Sequence, residues 1–418
     1  MAPLFANSGY ARFWTAETIS MFGSYITTVA LPSLAILTLH ATDAQAGLLN
    51  GARWVPYLLF GLLAGVFADR YRRRPILIGS NLASFVLWGA VAGLALAGLL
   101  NMYVLMGFIV VIGMAALLND AAHQAFLPRL VPAAQLTPAN ARLQLSGSLA
   151  QTTGPFLGGS LVAAIGAPFA ILADAVSYLG AALLLMTVKA EEPAPRRENR
   201  NLRAELAQGL SFVYRHPLLA PVALTLHARF LFVSVTSTVF TLFVMRGLNP
   251  GMSEDAAALG LGLVLALGGV GAVAGNAVSA RVTRLGAGRA MVLQRVGEAC
   301  SWVVIPFAVA GTAGWVVAGA GQFLVWFFLG ASGPVEMGWR QAITPDHLQG
   351  RVNATIRSLN WGMITIGAPI GGLLAERLGY RPALWAGIAG VVLAAIVAAL
   401  SPIRRATLPE PAEATTAA

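Results

Sequence analysis

The sequence predicts an all-α integral membrane protein of twelve transmembrane helices in two pseudo-symmetric six-helix bundles. Three observations carry that prediction. Of 418 residues, 57% are hydrophobic and 11% charged, with a mean hydropathy of +0.73; a soluble chain carries about a quarter charged residues. Apolar runs of about 20 residues, the length that crosses the hydrocarbon, recur along the whole chain. The two halves also repeat one another. The 45 glycines suit a helical membrane bundle, in which small residues let helices approach closely.

Taken in order, the predicted spans cover residues 14–38, 47–67, 76–98, 103–125, 141–165 and 168–188, then 218–245, 257–279, 290–310, 314–335, 354–376 and 381–400. The first is too long for a signal peptide and lacks a small-residue cleavage site, so it is retained. Arginines choose the orientation. Placing the N-terminus inside gathers Arg70, Arg72, Arg73, Arg74, Arg129, Arg215, Arg281, Arg340, Arg351 and Arg404 in inner loops, leaving little beyond Arg246, Arg377 and Arg381 outside. Both termini are therefore expected in the cytoplasm of a cell-membrane protein. The net charge of +10 comes almost entirely from arginines in these short loops, which argues against a nucleic-acid face. The single cysteine, Cys300, excludes a disulfide framework.

The repeat is visible around two loops. Residues 127–141 align with 340–354, matching Pro132 to Pro345, Asn140 to Asn353 and Ala141 to Ala354 at an offset of 213. The same offset sets Ser24 on Ser237 and Thr28 on Thr241. Residues 1–188 and 218–401 then form two duplicated units, a parallel repeat. Residues 189–217 join them, starting flexible or extended at Glu191-Glu-Pro193-Ala-Pro195. Leu202, Leu206, Leu210 and Val213 recur at helical spacing, predicting a short helix on the membrane surface. The tail, residues 402–418, reads as disordered.

Between the second and third spans runs Gly65-Val-Phe-Ala-Asp69-Arg70-Tyr-Arg72-Arg73-Arg74. Gly65 permits close helix approach, Asp69 is an acid able to cap a helix N-terminus or pair with arginine, and the arginines hold the loop inside. This loop resembles the signature of the major facilitator superfamily of secondary transporters. The resemblance implies a conformational latch of Gly65, Asp69, Arg70, Arg73, Arg74 and Asp120, with Asp120 in a structural pair with Arg73. The fifth span carries Gly154-Pro155-Phe-Leu-Gly158-Gly159, which resembles the glycine-proline signature of exporter branches. On physical grounds alone it is equally a packing kink. The eleventh span holds a looser echo, Gly367-Ala-Pro369-Ile-Gly371-Gly372, with its proline one residue out of register. Asp174-Ala-Val-Ser177-Tyr178 and the Leu127–Pro132 loop look like the branch with siderophore and macrolide exporters. Departures are plain: Arg72 stands where the signature has glycine, the second-half loop lacks its acid, and the fourth span lacks the arginine of proton-driven drug exporters.

Ionisable residues inside a membrane are costly and so mark function. Glu17, Ser20, Ser24 and Thr27 form one polar face of the first span, echoed by His227, Ser234, Thr238 and Thr241 on the seventh. Glu17, Ser24, Thr28, Asp174, His227, Ser237, Thr241 and Trp361 are the candidate proton and substrate residues. Arg53 and Asp174 are expected to neutralise one another, and Arg295 to pair with Glu298 three residues on; His227 reads first as a packing residue. No phosphate loop or metal-ligand spacing occurs, so neither an enzyme nor a cofactor is predicted. The expected partners are a small-molecule substrate, protons and the lipid bilayer, with the protein a monomer. The function predicted is export of a small amphiphile by alternating access and proton antiport. Uptake or facilitated diffusion of a metabolite is the alternative, and a transport-dead sensor or assembly protein the alternative of another class.

Overall fold

A computed structural model describes residues 4–190, 192, 202–248 and 250–407. The described residues are helical throughout, without a strand. Ser8–Ser33 forms α1, which widens into a π segment over Leu34–Thr38. Asp43–Ala52 is α2 and Val55–Arg70 is α3; then come α4 (Arg73–Leu96), α5 (Met102–Leu130), α6 (Leu136–Ile165) and α7 (Ala167–Thr187). A connecting helix, α8 (Leu202–Arg215), leads to α9 (Leu219–Leu242), again with a π segment over Phe243–Gly247. Glu254–Thr283 is α10, Ala287–Val304 α11, Thr312–Ile343 α12, Asp346–Leu378 α13 and Tyr380–Leu400 α14.

Among the described residues, eight helical stretches are long and apolar enough to cross a membrane. Those built on α6, α11 and α13 carry too many polar positions, such as Asn140, Gln144, Gln294, Arg295 and Asn353. The predicted second span is broken instead. Arg53 and Trp54 form a turn in which both amides reach back to the Gly51 carbonyl, and Pro56 opens α3. The chain is therefore two short helices where the apolar run promised one. The break touches α5: a Cβ on Gly113 would stand 2.3 Å from the Arg53 carbonyl oxygen.

Helices α1, α6 and α7 pack together, as do α4 with α5 and α7; in the second half α9 packs on α13 and α14, and α11 on α12 and α14. Two seams join the halves, α6 on α10 and α2–α3 on α13. Glycine makes both seams possible. A Cβ on Gly159 would meet the Ala258 carbonyl at 2.7 Å, and one on Gly372 the Asp43 carbonyl at 2.4 Å, so backbone touches backbone.

The glycines also correct the repeat. Gly158 lies against the Ile26 backbone and Gly371, 213 residues later, against Val235. Ile26 and Val235 are 209 apart, as are the π segments beginning at Leu34 and Phe243. The first and seventh spans are thus shifted one helical turn from the loop repeat. Thr28, not Ser24, is the counterpart of Ser237, and the glycines of the eleventh span are in register although its proline is not.

Two further expectations change. The connecting helix runs over Leu202–Arg215 as predicted, but Gly209 packs against Arg351 and Thr355 of α13, so it is docked on protein. Residues 402–407 of the supposed tail are ordered. A short 3-10 turn at Pro402–Arg405 buries Ile403, the Gly288 amide donates to the Ala406 carbonyl, and the Trp339 indole donates to the Thr407 carbonyl.

Candidate functional site

A cavity of about 420 Å³ lies between α1, α2 and α9, in the part of the molecule away from the termini. Thr27, Thr28, Asn50, Arg53, Trp54, Ser237, Thr238, Thr241 and Trp326 line it, together with aliphatic residues. Of the sequence candidates, Thr28, Ser237 and Thr241 meet here, while Ser24 is turned to the Tyr178 hydroxyl at 2.9 Å. Most hydroxyl protons around the cavity are already committed. Thr27 donates to Asp174 at 2.5 Å, Thr28 to the Tyr25 carbonyl, Ser237 to Ser234 and Thr241 to Ser237. Thr238 accepts from Asn50 at 2.9 Å, a link between α9 and α2.

The far end of this cavity is sealed. Arg246 pairs with Asp43 at 2.7 Å and donates to the Ala41 carbonyl, while Glu376 accepts from the Ala44 amide. These contacts tie the start of α2 to the ends of α9 and α13.

A line of polar groups leads from the cavity toward the terminal end. Trp54, Tyr57 and Trp361 meet edge-on, with ring centroids 4.6–5.3 Å apart, and the Arg357 guanidinium stands 5.6 Å from the Trp361 ring. The Tyr57 hydroxyl donates to Asp120 at 2.8 Å. Three residues along α5, His123 stacks on Phe13 and brings its Nε2 to 3.4 Å from Glu17. Glu17 is 9% exposed and Asp174 is fully buried.

These contacts revise the expected pairings. Asp120 accepts from Tyr57 at the start of α3, which packs on α5, rather than pairing with Arg73. Asp174 accepts from Thr27 and Ser177, and Arg53 lies over Trp54 instead, with its guanidinium 5.8 Å from the ring. In the second half, Arg229 binds Glu298 through two parallel hydrogen bonds and Arg295 pairs with Glu336 at 2.9 Å. The helical three-residue rule named Glu298 for Arg295, but both partners come from other helices. Both ring nitrogens of His227 are engaged, by Tyr214 at 2.9 Å and Asn360 at 2.7 Å, as befits a packing residue.

The surroundings of Gly65 and the side chains of Asp69 and Arg70 are not among the described features. What is described of the arginine loop is local: Glu192 accepts from the amides of Arg73 and Arg74 and so caps α4, while the Arg74 side chain reaches the Leu185 and Met186 carbonyls. In the glycine-proline run, Gly154 faces Tyr25, Gly158 faces Ile26, and Pro155 and Gly159 face α10. Sequence reasoning missed Asn50, Tyr57, Thr238 as a bridging residue, and Arg53 as a cavity cation; Pro56 was the signal that α3 starts beside them.

The profile of a family described as "Transmembrane secretion effector" matches residues 1–414. The chain is similar to the multidrug efflux pump Tap of Mycolicibacterium fortuitum, 27% identical over 396 residues, spanning 91% of this chain and 92% of Tap. It is also similar to the enterobactin exporter EntS of Citrobacter koseri, 27% identical over 422 residues, spanning 98% of this chain and 94% of EntS. Among solved structures, the nucleoside transporter NupG superposes with a TM-score of 0.75 at 10% identity, over 94% of this chain and 98% of that one. A bacterial homologue of the lysosomal transporter Spinster, inward-facing and unoccupied, superposes with a TM-score of 0.70 at 16% identity, over 98% of both chains. At such identities these structures establish the fold.

Proposed function

Since the chain belongs to the major facilitator superfamily, in its transmembrane secretion effector family, we propose that it exports small amphiphilic molecules in exchange for protons. One observation carries the proton part. Glu17 and Asp174 are buried and Asp120 is half-buried, and among the described residues none has a guanidinium within ion-pair distance. A carboxylate out of water is held charged by a cation, and without one a proton neutralises it. Glu17 is the carrier, because its neighbour His123 can pass a proton along α5 toward Asp120. The similarity to Tap and EntS and the glycine-proline run of α6 support the outward direction.

In this reading α2 with α3 makes one span, as does each of the remaining helices except α8, giving twelve in two six-helix bundles, residues 1–188 and 218–401. Loop arginines keep both termini in the cytoplasm of the cell membrane. The Arg246–Asp43 closure then seals the outer side, so the structure is the form loaded from inside. Rocking opens that side, and the loop of Gly65, Asp69, Arg70, Arg73 and Arg74 latches the inner face in turn. The seams at Gly159 and Gly372 are the hinge lines, since backbone contact lets helices roll without side chains to interlock.

Proteoliposomes with an imposed pH gradient test this. With radiolabelled anionic, uncharged and cationic naphthalene derivatives as substrates, the parent accumulates at least one of them. Glu17→Gln stops gradient-driven accumulation while exchange of labelled for unlabelled substrate continues, because the cavity is unchanged. Accumulation by Glu17→Gln at the parent rate removes Glu17 as the carrier.

A further inference from the structure

The charges facing the cavity say what kind of molecule fits it. Arg53 stands on the turn between α2 and α3, where the helix break carries its side chain into the cavity lining. Like Arg357, which lies against Trp361, it meets a ring rather than an acid. Arg229 and Arg295 are each matched by a glutamate, and Arg246 by Asp43. Among the described residues no carboxylate stands within 4 Å of the Arg53 guanidinium, which lies 5.8 Å from the Trp54 ring. Asp174, within the electrostatic reach of Arg53, accepts its hydrogen bonds from Thr27 and Ser177 instead. Arg53 is also the one ionisable residue in the lining. Leu31, Pro32, Ala35, Leu49 and the rings of Trp54 and Trp326 supply the apolar part of the lining. A guanidinium in such a site presents a fork of donors suited to two oxygens of an acid group.

We propose that this cavity is an anion-selective site: it takes an amphiphile whose carboxylate or phenolate pairs with Arg53 and whose apolar or aromatic body lies between Trp54 and Trp326. The hydroxyls refine the choice. Thr27, Thr28, Ser237 and Thr241 spend their protons on protein acceptors, so toward the cavity they offer lone pairs. They accept from hydroxyl or N–H groups on the ligand and would repel a second anionic group. The ligand class is therefore a monoanionic acid bearing hydrogen-bond donors. This deepens the export reading, on which it rests for calling the cavity a substrate site.

Equilibrium binding to the full chain in nanodiscs, with no gradient, tests the site separately from transport direction. The probes are 2-naphthoate, the uncharged 2-naphthamide and the cationic 2-naphthylmethylammonium, followed by titration calorimetry. The parent should bind the naphthoate about tenfold more tightly than the amide, the worth of one charge-assisted hydrogen bond, and the ammonium least. Arg53→Gln should abolish that preference while retaining the amide affinity, and Arg53→Lys should restore part of it. Retained amide affinity also shows that Arg53→Gln is folded. Equal binding of all three probes by the parent, no naphthoate binding at millimolar concentration, or preference surviving Arg53→Gln would each overturn the proposal. Anion binding without outward transport would leave the site standing and sink the export reading instead.

Discussion

Carboxylates within the bundle keep different company in the two halves of the chain. On α9 to α12 each is clamped by an arginine: Glu298 by Arg229 and Glu336 by Arg295. On α1 to α7 the partners are hydroxyls and an imidazole: Thr27 and Ser177 for Asp174, Tyr57 for Asp120, His123 for Glu17. Equivalent positions underline the contrast. Asp174 and Ser177 correspond to Gly387 and Gly390, which pack on Thr236 and Phe232 of α9, so the second half has no acid at that contact. A guanidinium partner fixes a carboxylate as charged and makes it structural. Partners without a permanent charge leave its own charge free to change. In the proposed exchange the first half then supplies the groups for chemistry, and the second half the rigid frame against which it moves.

The same carboxylate-to-amide exchange in each half tests that contrast most directly. Glu298→Gln leaves Arg229 buried without its counter-charge and should cost about 3–5 kcal/mol, enough to lose most folded protein. Replacing both members, Arg229→Met with Glu298→Leu, should recover much of it. Thermal unfolding in detergent reads both, and a Glu298→Gln melting point within a degree or two of the parent would break the comparison.

Next in size come the seams, where the halves should behave alike. Gly159→Ala and Gly372→Ala each force a methyl against a backbone carbonyl, and each should lose about 1–3 kcal/mol. A large loss at one seam alone would show that the two hinge lines are not equivalent.

Asp174→Asn should cost less than about 1 kcal/mol, because the Thr27 and Ser177 hydroxyls can rotate to suit an amide. A loss as large as that of Glu298→Gln would mean that Asp174 is held charged. A further test concerns the partly buried closure. Arg246→Gln removes a partly solvated pair worth about 1 kcal/mol. Labelling of Asn50→Cys by an impermeant maleimide from that side, with Cys300→Ser as background, should then rise up to about fivefold.

Much of the fold was legible because hydrocarbon thickness writes itself into the chain as apolar runs. Where polar residues are needed inside the bundle, as on α6 and α13, that signal weakens and the repeat had to supply the span. Breaks were harder. The Arg53–Trp54 turn sits in an unbroken apolar context, and only Pro56 betrays it. Partners were hardest of all. Arg229 and Glu298 are 69 positions apart, and no local spacing rule reaches that far. The polar faces of the first and seventh spans were found, but not their one-turn shift, because the loops preserve one offset and the helices another.

The short turn at 402–407 has a practical consequence. It holds the start of α11 and the end of α12 through the Gly288 amide and the Trp339 indole, and it buries Ile403 beneath them. Cutting after Leu400 would expose that indole and an apolar pocket at the membrane surface, a feature by which quality-control proteases recognise an unfinished protein. A reporter or affinity tag is better joined beyond Thr407, where the knot is already tied.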